Sequence, residues 1–341
     1  MLSRVADSLF WMSRYIERAE NITRILTINF NALLDMPMVD AAKSWRPLLA
    51  ISGDLSLYED LYPEINVRNV MDYTLWHVGN PNSVINCIVR VRENARSVRE
   101  QISSEMWEHL NRLYHHLRSM NRDATRRSPH EFFTIVRDGS HAFQGITNTT
   151  MPHGEGYEFI QLGKYIERAG MTLRALDSKY ATVNALPEGL PEASLHLIAL
   201  LKSCSAFEAF RKSNGSQLQA SRVAEFLLLS SEFPRAVRFC LQHCLDSVNA
   251  ISGKESDVIR TVPDRQTPQR LFGKLNAELE YLDMQDVLDQ SLVDYINDLF
   301  ARINAAGDTI TRSFFSTQVI LPPPRGMAAL QQSHQQQQQQ Q

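Results

Sequence analysis

The chain is short of the residues that make turns, staples and membrane spans. Glycine and proline number only 14 each among 341 residues, which excludes a strand-rich fold with frequent tight turns. Four cysteines, Cys87, Cys204, Cys240 and Cys244, are too few for a disulfide scaffold. Cys240 and Cys244 stand one helical turn apart, but no cluster with zinc spacing accompanies them. Buried free thiols in a reducing compartment are the expected state. No signal peptide is expected, because Asp7, Arg14 and Glu17 interrupt any apolar opening segment. The longest apolar runs, such as FLLL at 226–229, are far too short to span a bilayer, so the expected location is the cytoplasm. Positive charge is not in excess either. The net charge of −3 carries no footprint of nucleic acid or of an anionic membrane, although a local basic face remains open. The phosphate-loop, dinucleotide, zinc-protease and serine-hydrolase signatures are all missing, so no cofactor and no metal is expected. His109 lies six and seven residues before His115 and His116, which is not a metal pair on a helix.

What the sequence does have is apolar residues, 43 % of the chain, recurring at helical spacing nearly throughout. The first helix is expected from about residue 3 to the mid-thirties, ending before Pro37. Further helices are expected near 45–60, 68–79, 82–102 (with Pro81 in its first turn), 104–121 and 129–148. A second set follows: a long helix to about 185, then 192–212, 220–231, 234–251, 268–283 and 286–312.

The two sets match in order. YIERA occurs at 15–19 and again at 165–169. Tyr58 and Glu59 align with Phe207 and Glu208, Pro81 with Pro234, and Cys87 with Cys240. The expected fold is therefore all-α, an internally duplicated helical bundle of about ten to twelve helices. Residues 1–152 form the first repeat and 153–318 a second repeat packed on it. The remaining 319–341, proline-rich and then polyglutamine, have too little apolar surface to order themselves.

The opening MLSRVADSLFWMSRYIERAENITRIL resembles the start of the bacterial alpha-E family, an all-helical domain named for its Glu-Arg motif. RENARSVREQISSEMWEHLN at 92–111, GITNTTMPHGEGYEFIQLGKYIERA at 145–169 and FPRAVRFC at 233–240 are similar as well, and the resemblance covers about residues 1–320. It implies a setting beside circularly permuted ATP-grasp proteins and transglutaminase-like proteins, and hence amide-bond formation or peptide modification. The partners so implied are those two proteins. A homo-oligomer is a further expected assembly, and neither nucleic acid nor membrane is expected as a partner.

The charged words themselves supply the candidate site. Both copies keep a cation, a glutamate three residues on and an arginine seven further: Arg14, Glu17 and Arg24, then Lys164, Glu167 and Arg174. Gly163 and Gly170 flank Glu167 on one face. Two helical glycines cost roughly 1 kcal/mol each against alanine, so they mark a face that another backbone or a ligand approaches closely. Both words are therefore expected to be at least partly buried, and buried charges must be paired. One reading ties the helices reciprocally, Glu17 to Arg168 and Glu167 to Arg18, across a pseudo-two-fold. The other lines a cleft in which Arg18, Asn21, Arg24, Arg168 and Arg174 hold a carboxylate or phosphate. The segment RVRENARSVRE adds Arg92, Glu93 and Arg96, and its counterpart at 243–253 has lost every arginine. That difference leads us to expect Arg92 and Arg96 beside the first word, with the second word its structural twin. His153 and Glu155 precede the second word without a nucleophile to serve. Three functions stay open: an accessory or ligand-binding component of an ATP-grasp-linked system, an enzyme using the Glu-Arg motif for acid–base chemistry, or a structural scaffold.

Overall fold

The computed structural model describes residues 1–35, 41–52, 55–184, 186, 191–215, 218–253 and 267–315. The expected tail at 319–341 lies outside the described residues. The chain is all-α, with no strand among the described residues. Its first eight helices are α1 (Ser3–Asp35), α2 (Ala41–Ser52), α3 (Leu55–Leu61), α4 (Val67–Leu75), α5 (Val84–Ser97), α6 (Ser104–Ser119), α7 (Arg122–Arg127) and α8 (His130–Thr150). The next eight are α9 (Glu155–Asn184), α10 (Pro191–Ser203), α11 (Phe207–Asn214), α12 (Ala220–Leu229), α13 (Val237–Ser252), α14 (Pro268–Tyr281), α15 (Met284–Gln290) and α16 (Leu292–Ile310), followed by a π-helical turn at Thr311–Phe315.

Among the described residues there are sixteen α-helices rather than the ten to twelve expected, because expected segments are divided and one short helix, α7, is not among those expected. Asn121 and Asp283 accept backbone N–H bonds at the starts of α7 and α15. Ser291 caps α16 and divides the expected 286–312 helix in two. The expected helix at 192–212 is α10 and α11, bent by 115° at Cys204–Ala206. Ser83 caps α5 at Val84, so Pro81 lies ahead of that helix rather than in its first turn.

The two longest helices are the centre of the molecule. Contacts from Met1 to Glu155, Phe10 to Gly163 and Asn29 to Lys179 keep a nearly constant separation in sequence, so α1 and α9 run parallel and side by side. Both are apolar on most of their circumference and buried accordingly: Leu9, Phe10, Met12, Ile16, Ala19 and Ile22 on α1, Phe159, Ile160, Leu162, Ile166, Ala169 and Leu173 on α9. Gly163 permits the contact. A Cβ there would lie 2.4 Å from the Phe10 carbonyl oxygen.

The remaining helices surround this pair in matching ways. α5 and α8 pack on α1, while α13 and α16 pack on α9. α6 bridges α5 and α8, and α14 bridges α13 and α16. α2 and α10 each touch both central helices. One continuous apolar core runs through all of these elements. The four cysteines are free and buried in it, and burial raises the Cys87 and Cys240 thiols to about 12, far from nucleophilic. Among the described residues no single helix is long and apolar enough to cross a membrane.

Candidate functional site

Parallel helices repeating one charged word in register bring each glutamate opposite the other copy's arginine. Arg168 Nε and Nη2 donate to the two carboxylate oxygens of Glu17 at 2.8 and 3.0 Å. Arg18 Nε and Nη2 donate to those of Glu167 at 2.6 and 2.9 Å. Each is a two-pronged, charge-assisted pair. Each carboxylate also has a second cation: Arg14 Nε at 2.9 Å from Glu167 and Arg235 Nη1 at 3.3 Å from Glu17. The outer guanidinium nitrogens are anchored too, Arg18 Nη1 on Asn82 Oδ1 at 2.7 Å and Arg168 Nη1 on the Pro234 carbonyl at 3.3 Å. Of the two readings of the charged words, the reciprocal pairing is the one these contacts make.

Glu17 is 1 % and Glu167 5 % exposed. Burial alone would push both carboxyl groups up, but the arginines outweigh it. Arg168 and Arg235 hold Glu17 far below the usual carboxylate range, and Arg18 and Arg14 bring Glu167 down to about 2. Neither group carries a proton to give near neutral pH. Removing one partner would strand a buried charge, a loss of about 3–5 kcal/mol.

The two ends then diverge. Beyond Glu17 the polar layer continues one turn further to Glu20 and Asn21, both buried. Arg235 spans them, with Nη1 2.6 Å from Asn21 Oδ1 and Nη2 2.9 Å from Glu20 Oε2. Arg24 binds the other oxygen of Glu20 and reaches the Ser205 hydroxyl at the surface. His141 Nε2 stands 3.9 Å from Glu20 on the open side. Beyond Glu167 the corresponding position is Gly170, which faces Phe300, and Arg174 stacks on that ring at 4.8 Å while donating to the Ile51 carbonyl at 3.0 Å.

Arg92, Glu93 and Arg96 do not join the first charged word, which corrects the expectation. Arg92 faces α6 instead, and Glu93 and Arg96 are exposed on α5. Arg92 donates to Asn111 at 2.8 Å and stacks on Tyr114 at 4.7 Å, and Arg96 pairs with Glu93 at 2.6 Å. The spacing of these residues put them on one face of α5 but could not say which neighbour that face meets. His153 stacks on Tyr157 at 4.0 Å and contacts the Asn148 carbonyl, and Glu155 holds the N-terminal amine at 3.0 Å.

Arg235 is the important residue that spacing did not reveal. It sits in the turn before α13, at the position matched by Asn82 ahead of α5, and a cation beside the aligned Pro81/Pro234 was the available signal. Lys164, the cation of the second word, is paired differently from its counterpart. It stands where Arg14 stands in the first copy, but Arg235 occupies the space beside Glu17. Its amine donates to the neutral Gln161 amide oxygen and lies 4.3 Å from the Tyr165 ring centre. Burial, then Arg168, lowers it to about 8.

Residues 1–315 match the model of the Alpha-E family, described as a predicted alpha-helical domain with a conserved ER motif. Uncharacterized proteins of Mycobacterium bovis and Mycobacterium tuberculosis (strain H37Rv) are each 24 % identical over 343 residues, covering 94 % of this chain and 37 % of their own length. The chain thus spans little more than a third of those relatives. No solved structure matches it.

Proposed function

The chain belongs to the Alpha-E family, and from that premise we propose that it is a non-catalytic, ligand-binding accessory component of an ATP-grasp-linked amide-ligation or peptide-modification system. Its partners in this reading are a circularly permuted ATP-grasp protein and a transglutaminase-like protein. The observation that supports an accessory role is the use made of the Glu-Arg motif. Both glutamates are buried, deprotonated and held by two arginines each, so the motif clamps α1 to α9 and offers no acid or base. The length of the relatives agrees with this: in each, the matched region accompanies a larger stretch of other sequence. We infer further that the chain arose by duplication of one eight-helix unit, with 1–152 and 153–318 as its two copies.

The test is co-purification of the full chain with a circularly permuted ATP-grasp protein from the same organism, with and without nucleotide. Stable association is expected. Failure to associate under both conditions contradicts the proposal. For the enzymatic alternative, Glu17→Gln should abolish turnover with folding intact. The geometry instead predicts that the variant loses stability.

A further inference from the structure

Charge is not balanced at the Glu17 end. Around the buried carboxylates of Glu17 and Glu20 stand Arg24, Arg168, Arg235 and Lys164, two anions facing four cations. Arg137 adds a fifth positive group, one turn before His141 on the same face of α8. It is near enough to bear on both Arg24 and His141, and its Nε is paired with Asp138 at 3.2 Å in an exposed, solvent-screened contact. Both oxygens of Glu20 are already taken, one by Arg24 and one by Arg235. Among the described residues, the buried Arg24 Nε has no acceptor at all. A low-dielectric layer with surplus guanidinium charge calls for an anion.

The layer also has an opening. His141 is 58 % and Arg137 42 % exposed, and Ser205 lies at the surface with its hydroxyl on Arg24. Ser205 is the one non-glycine residue with positive φ (50°) among the described residues, a left-handed conformation that costs a serine free energy. The Glu167 end also has more cations than anions, with Arg14, Arg18 and Arg174 around one carboxylate, but Gly170 and Phe300 replace Glu20 and its polar surroundings, and Asn82 stands where Arg235 does.

We propose that Arg24, Arg137, His141 and Ser205 form a binding site for a small oxyanion, the terminal group of a carboxylate or a phosphate ligand, seated over the Glu20–Arg235 pair. Planar guanidinium forks match either group. The assignment rests on the reading of the chain as a binding component and gives that reading a ligand class.

The experiment is thermal unfolding of the full chain, titrated with inorganic phosphate or with succinate at ionic strength matched by sodium chloride. A saturable rise in midpoint above chloride is expected with at least one of the two, and which one identifies the ligand class. The double variant Arg137→Ala/His141→Ala changes exposed side chains and keeps the fold. It should bind at least about tenfold more weakly. Arg118→Ala, on α6, should bind as the native chain does. Absence of a saturable rise with both anions overturns the proposal, as does an unchanged response in the double variant. The titration uses this chain alone, so its failure is separable from failure to associate with the ATP-grasp protein.

Discussion

The Glu17 and Glu167 ends of the central helix pair begin from the same five letters and finish as different objects. At the Glu167 end two arginines from one helix close on one carboxylate, and the next turn is a glycine against a phenylalanine ring. At the Glu17 end one of the two arginines comes from a distant turn, displaces Lys164 from the carboxylate and extends the polar layer to Glu20, Asn21 and the surface at His141. The difference teaches that the motif itself is architectural. What surrounds it decides whether the end is closed or open.

The largest expected effect comes from cutting the shared part. Glu17→Gln and Glu167→Gln should each destabilise the chain by about 3–5 kcal/mol in urea unfolding, since each leaves buried arginines unpaired. A loss below about 1 kcal/mol at either end would break the equivalence of the two clamps. Acid should reveal the same contribution. The folded value of Glu167 lies below its ordinary 4.5, at about 2, so its stabilisation is complete above pH 4.5 and is lost as pH falls toward 2. Glu17 lies lower still. Glu167→Gln should flatten the fall in unfolding free energy over that window, and a slope unchanged from the native chain would contradict the assignment.

The next pair separates the ends. Arg14→Gln removes a direct bond to Glu167 and should cost about 1.5–3 kcal/mol. Lys164→Gln, at the matching position, should leave stability at pH 7 unchanged or raised. The folded amine sits at about 8, below its ordinary 10.5, so the fold disfavours its charge and the native chain gains stability as pH rises between those values. Lys164→Gln should lose that gain, and equal costs for the two substitutions would contradict the displacement by Arg235. The smallest contrast concerns the glycines. Gly163→Ala drives a Cβ into the Phe10 carbonyl and should cost about 1–3 kcal/mol. Gly170→Ala, whose Cβ would lie 3.4 Å from the Phe300 ring edge, in ordinary van der Waals contact, should be near neutral or gain up to about 1 kcal/mol of helix propensity, read as a shift in melting midpoint.

Much of this was legible in the sequence because helical periodicity and repetition are local signals. The repeated word offered Glu17–Arg168 and Glu167–Arg18 as one of two readings, and the glycine at 163 marked a face that a backbone or a ligand approaches. The short helices were less legible, since capping by Asn121, Asp283 and Ser291 cuts apolar periodicity without ending it. Arg235 and the neighbour of Arg92 were not legible, because both depend on which surfaces meet across the bundle. A helical wheel gives a residue's face, whereas only packing gives the face's partner.

The central claim is that the two charged words hold α1 and α9 together by pairing with each other. A double-mutant cycle on Glu17→Gln and Arg168→Gln, read by urea unfolding of the full chain, tests it most directly. The account predicts strong non-additivity, with a coupling of about 2–3 kcal/mol between the two positions. Additive losses, within about 0.5 kcal/mol of the sum of the single variants, would contradict it.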